Sequence, residues 1–145
     1  MPIKVERLNR EKVCEVLPVL RAISNSEGVY WKDNNPDHDF NHGILFVARD
    51  KKNIIGYSTL VPIAGHWCLR GCVVLPKYRG RNIQCKLIKS RCSYALAKNC
   101  KSLLVWVKPD NKPSLINLQK EGFKIQNVRP RKFYGTEHIK LNKPI

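Results

Sequence analysis

Apolar residues recur along the 145-residue chain with two different periods, and the changes of period divide it into strands and helices. Residues 3–8 alternate as a first strand. Asn9 is placed to cap a helix, and Val13, Val16, Leu17, Leu20 and Ile23 follow at helical spacing. Pro18 falls inside that stripe and predicts a kink or a division there. Residues 44–49 and 54–62 read as two strands of a hairpin around Asp50-Lys51-Lys52-Asn53. Residues 66–75 form the next strand, ending in the β-branched run Val73-Val74. From Ile83 the period lengthens, and Ile83, Leu87, Ile88, Cys92, Ala95 and Leu96 mark an amphipathic helix. Residues 102–107 are a buried strand, parallel to the one before because a helix crosses between them. Residues 112–120 make a short helix ended by Gly122. Residues 123–128 and 133–141 are the last strands, joined across Arg129-Pro130-Arg131-Lys132. The expected architecture is a single α/β domain over residues 1–145. Its central sheet is mixed, mostly antiparallel and of about seven strands, with helices on both faces.

Composition adds exclusions. No run approaches the roughly 18 apolar residues of a membrane span, and the N-terminus reads as the start of a strand rather than a signal core, which makes a cytoplasmic location the expectation. The cysteines stand at 14, 68, 72, 85, 92 and 100. Three fall on or just beyond the long helix, and Cys68 and Cys72 are expected on one strand face. They read as reduced apolar fillers, with no metal site. Net charge is +16, which either reflects a solvated basic surface or draws a polyanion; a nucleic-acid partner is possible but not favoured. Residues 24–43 depart from this balance. They hold Glu27, Asp33, Asp37 and Asp39 against Lys32, net −3, while the rest of the chain is net +19. Tyr30, Trp31 and Phe40 are interleaved with those acids, a combination suited to a cationic amine.

The junction after Val74 carries the chemistry. A strand, a basic loop around Gly80 and then a helix start bring free N–H groups and the positive end of a helix dipole together, an anion-binding arrangement. The run Val74-x-Pro76-x-Tyr78-Arg79-Gly80-x-x-Ile83-Gln84-x-x-Leu87 resembles the acetyl-CoA motif of the GNAT superfamily of N-acetyltransferases. Val107-x-Pro109-x-Asn111-x-x-Ser114-x-x-x-Leu118-x-Lys120-x-Gly122-Phe123 resembles the second half of that signature, in the same order and separation. The resemblance implies a sheet splayed between its fourth and fifth strands, with acetyl-CoA in the splay. Val73 and Val74 would bond the pantetheine arm. Backbone groups of Arg79, Gly80, Arg81, Asn82, Ile83 and Gln84 would take the pyrophosphate, and Asn111 and Ser114 would line the arm. Three departures stand out. Asn82 replaces a glycine, although asparagine tolerates left-handed angles, and Gln84 replaces a small residue, narrowing the approach. Leu118 stands where many members place a tyrosine read as the acid.

The implied reaction moves acetyl to a primary amine of a small molecule or protein, read as cationic from residues 24–43. It needs positioning and removal of one proton. His66, Glu27, Asp33 and His38 are candidate bases, and Tyr134 is a substitute acid. A nucleic-acid-directed acyltransferase and a catalytically silent CoA-binding module are the alternatives. The oligomeric state is not legible in the sequence.

Overall fold

The computed structural model describes residues 2–27, 37–63, 66–133 and 135–144. Strand β1 (Ile3–Leu8) leads into helix α1 (Arg10–Ser26), and the short helix α2 (Asp37–His42) precedes strands β2 (Ile44–Asp50), β3 (Asn53–Ile63) and β4 (His66–Val74). A 3-10 turn at Pro76–Tyr78 leads to helix α3 (Ile83–Ala97), strand β5 (Ser102–Val107) and helix α4 (Lys112–Lys120). Strands β6 (Lys124–Ile125), β7 (Arg131–Phe133) and β8 (Thr136–Pro144) complete the chain. The eight-stranded sheet runs β1-β2-β3-β4-β5-β8-β6, with β7 on β8. Every pairing is antiparallel except β4 with β5.

Local chemistry explains most boundaries. The Asn9 side chain accepts from Lys12 N at 2.9 Å, as expected of a cap. Helix α1 continues through Pro18 as one element, contrary to the expected division. Pro18 lies on the exposed side, while Val13, Leu20 and Ile23 are buried on the other and hold both turns against the sheet. The C-terminal strands also differ from expectation. Only Lys124–Ile125 pairs within residues 123–128, and Arg131 and Lys132 are in β7 rather than in a turn. The reversal falls between Phe133 and Thr136, a register pair, with Gly135 at φ 79°. The glycine permits that left-handed angle.

Two apolar layers flank the sheet. On one face Ile83, Leu87, Ile88, Cys92 and Ala95 of α3, together with Leu118 of α4, pack on Phe46, Leu60, Leu69, Leu103 and Leu141. On the other, Leu20 and Ile23 of α1 and Phe40 of α2 pack on Leu45, Val47 and Tyr57.

Two irregularities shape the centre. In β4, Arg70 faces Thr59 and Cys72 faces Ser58, so Gly71 (φ 32°) is an extra residue, a bulge. It reverses the alternation of the strand. Cys72 packs with the α3 layer and Val73 with the α1 layer, whereas Trp67 and Leu69 before the bulge face α3 and leave Cys68 on the opposite side. Cys68 and Cys72 therefore do not share a face. The second irregularity is the parallel pairing of β4 with β5, which holds only Trp67 with Leu103 and Cys68 with Leu104. Past that point β4 stays on β3 as far as Val74, and β5 stays on β8 as far as Val107. The sheet splays where expected.

Candidate functional site

The splay opens beneath the loop that joins β4 to α3. Leu75 N donates to Ile55 O at 2.9 Å, which fixes where the chain leaves the sheet. Gly80 at φ 79° and Asn82 at φ 64°, ψ 19° are both left-handed. Asn82 therefore adopts the geometry that the family glycine would supply. It makes no side-chain cap, so the first turn of α3 keeps its backbone donors for an anion. A Cβ on Gly80 would meet nothing within 4 Å. The requirement for glycine there is thus the angle itself, not crowding within the chain.

The side chains around the loop brace it. Arg79 Nε donates to Val74 O at 2.9 Å, and the same guanidinium pairs with Glu27 at the end of α1. Arg81 lies over the Tyr78 ring, 5.3 Å from its centroid, and the Tyr78 hydroxyl donates to Asp50 at 2.8 Å. Ile83 is a core residue. Gln84 does not lie across the loop. Its amide bonds Ser114 Oγ at 3.3 Å and accepts from Asn117 at 2.7 Å, tying α3 to α4. Asn111 caps α4 by accepting from Ser114 N at 3.4 Å. Leu118 is buried in the core, so its position offers no proton. Asn111 and Ser114, expected to line the arm, are placed at the start of α4 with these bonds already made.

The sequence-derived proton carriers scatter. His66 is exposed at the first residue of β4, where β4 and β5 are still paired. Eight residues separate it from Val74, about 26 Å along a strand. Glu27 is near the loop, but its carboxylate is held by Arg79 and Ser26. Tyr134, Tyr30, Trp31 and Asp33 lie outside the described residues. Asp39 is buried and paired with Arg70 at 3.3 Å. Neither Glu27 nor Asp39 is therefore a free carboxylate awaiting a cation.

Three residues not singled out in the sequence complete the picture. Arg91 is buried at 2% exposure and donates to Leu87 O, Thr59 O and Arg70 O, beside the Gly71 bulge. Burial lowers its pKa. The helical pattern held the signal, since Arg91 follows Leu87 and Ile88 by four and three residues and so falls on their buried face. Trp106 and His138 lie on the sheet face opposite α3, because their neighbours Val107 and Ile139 belong to the α3 layer. The His138 ring meets Phe133 edge-on at 5.2 Å, and its Nδ1 lies 2.8 Å from Thr136 O. A carbonyl only accepts, so Nδ1 carries a hydrogen, and in the neutral ring the lone pair is then on Nε2. Elsewhere burial pushes the Tyr57 phenol up to about 12 and the Cys68 thiol up to about 11. All six cysteines are free.

Residues 13–123 match the model of the acetyltransferase (GNAT) family. No curated protein matches the chain. Among solved structures, a GNAT family acetyltransferase from Elizabethkingia anophelis with acetyl-CoA bound superposes with a TM-score of 0.77 at 20% identity, covering 99% of this chain and 98% of that one. An N-acetyltransferase from Staphylococcus aureus Mu50 gives 0.78 at 16% identity, again over 99% and 98%. The PaiA N-acetyltransferase from Thermoplasma acidophilum, in complex with coenzyme A, gives 0.71 at 18% identity over all of both chains. At these identities the likeness is one of fold.

Proposed function

The chain belongs to the GNAT family of acetyltransferases, and from that premise we propose that it transfers acetyl from acetyl-CoA to a primary amine. The observation that carries this is the join of the splay to the left-handed loop: β4 loses its β5 neighbour after Cys68 and delivers the chain to Gly80 and Asn82. The residues present fit the cosubstrate. The N–H groups of residues 79–84 and the first turn of α3 receive the pyrophosphate, with Arg81 beside them. Val73 and Val74 offer backbone groups on the stretch of β4 that has no β5 pairing. Gln84, Ser114 and Asn117 lock α4 beside α3, so Asn111 and Ser114 hold the mouth of the splay rather than move with the ligand.

Acetyl-CoA supplies the activated thioester, and the chain supplies position and proton handling. His138 is the base that the geometry favours. Its Nδ1–H is spent on Thr136 O, so Nε2 is left to take the ammonium proton. His66 is exposed on the paired side of the splay, ahead of its opening, and the Glu27 carboxylate is engaged by Arg79. The pairing of Glu27 and Asp39 with arginines also removes two of the four acids that favoured a cationic acceptor. The site reading is therefore an amine acceptor approaching from the face that bears His138 and Trp106.

The test is thiol release from acetyl-CoA over a panel of amines, with acetyl-CoA affinity measured by calorimetry. His138→Gln is expected to lower kcat about 100-fold with little change in that affinity. Failure of acetyl-CoA to bind would overturn the function, and an unchanged kcat would overturn the base.

A further inference from the structure

The side of the splay formed by β5, β7 and β8 carries an aromatic and cationic wall. Register places Trp106 opposite Lys140 and Arg131 opposite His138. Phe133, two residues beyond Arg131, shares its side of β7. The Arg131 guanidinium lies 5.5 Å from the Trp106 ring centroid and 5.2 Å from that of Phe133. Those two rings are 5.5 Å apart, and Phe133 in turn meets His138. Helices α1 and α2 pack on β1, β2 and β3, so among the described residues no helix covers this wall. Trp106, Phe133 and His138 are half-buried and Arg131 is exposed.

Two rings flank the guanidinium, yet among the described residues no carboxylate pairs with Arg131 or Lys140. The contrast with Arg70, Arg79 and Arg49 is direct, since each of those is spent on an acid. The planar guanidinium presents its donors in a fork that matches a carboxylate with two parallel bonds, and neighbouring rings limit the ordering that bond still requires. Trp106 lies on β5 two residues past Leu104, the last residue paired with β4. A group bound at Arg131 thus sits beside the place where the acceptor must meet the thioester.

We propose that this wall selects amine acceptors that carry a carboxylate on an aromatic body, with Arg131 binding the carboxylate and Trp106 with Phe133 flanking the body. The inference rests on the acetyltransferase reading and narrows its acceptor class. It also reverses the sign of charge inferred from residues 24–43.

The test uses matched pairs at two spacings: phenylalanine with its amide, and para-aminomethylbenzoate with its amide. In at least one pair the carboxylate is expected to be acetylated with kcat/KM about tenfold above its amide. Arg131→Gln should erase that preference through KM of the carboxylate acceptor, leaving the amide and acetyl-CoA affinity unchanged. Arg131→Lys should restore it only partly, because an ammonium cannot reproduce the fork. Where turnover is absent, calorimetric binding of the same pairs to protein saturated with CoA reads the same preference. No preference in either pair, or a preference that survives Arg131→Gln, overturns the proposal. So does a single-stranded oligonucleotide that displaces the acceptor from the native protein but not from Arg131→Gln. Loss of acetyl-CoA binding itself would fell the broader reading instead, and carboxylate binding to the protein alone would still be measurable.

Discussion

Arg91 is a charged side chain almost wholly buried in the core. A guanidinium buried among apolar residues loses hydration, and burial lowers its pKa accordingly. It remains because Thr59 O and Arg70 O, on either side of the bulged pair, accept from it. Arg91→Met would leave both carbonyls without that donor, and a loss of about 2 kcal/mol is expected from urea unfolding. Tyr57 and Cys68 give a second prediction at this scale. Both are neutral when protonated, and burial raises both in the folded state, to about 12 and about 11. Their contribution is complete below the unfolded values of roughly 10 and 9, and it drains away as pH rises through the folded ones. The melting temperature should be level from pH 7 to about pH 9 and then fall, with about 2–3 kcal/mol at stake for each group. Tyr57→Phe should flatten the part of that fall above pH 10, at the cost of the 2.7 Å bond to Ser24.

Helix α1 tests the reach of periodicity as a guide. The stripe that begins at Val13 predicted the helix, and Pro18 predicted its division, but burial on one face outweighed one missing donor on the other. Pro18→Ala restores that hydrogen bond on the exposed side and should raise stability by about 1 kcal/mol or more, read as a higher urea midpoint. In the loop, Asn82→Gly should relieve the left-handed angle by a few tenths of a kcal/mol and preserve acetyl-CoA affinity, whereas Asn82→Val should weaken it; calorimetry reads both. The strands of the first hairpin, α3, β5 and α4 were legible because their apolar patterns run unbroken and turn or glycine-containing segments bound them. The separation of Cys68 from Cys72 was not, because one inserted glycine flips every later side chain and leaves no trace in composition. The ends of β7 were misplaced for a related reason. Pro130 and the basic residues around it resemble a turn, yet the reversal needed the positive φ of Gly135. For the site, the loop was legible as a motif. The wall of Trp106, Arg131, Phe133 and His138 was not, because cross-strand register alone brings those positions together.

At the scale of the molecule, the +16 charge meets a cosubstrate rich in phosphate. Acetyl-CoA affinity should therefore weaken as salt rises, and the acetyl-CoA-bound protein should melt several degrees higher when the ligand stands at about 100 times its Kd. The same ligand has a mechanical role, because the splay leaves the sheet as two plates. One is β1 to β4 and the other β5 with its C-terminal partners, and only two rungs, Trp67 with Leu103 and Cys68 with Leu104, bolt them together along their shared edge. An open sheet would carry load across that edge through a full ladder. Here α3 and its apolar layer carry it from one side, and the gap is free to breathe. A pantetheine arm held in the splay would stand in for the missing strand and bridge the two plates. Amide exchange in the empty protein should then report two opening units of different depth, and occupancy should fuse them into one.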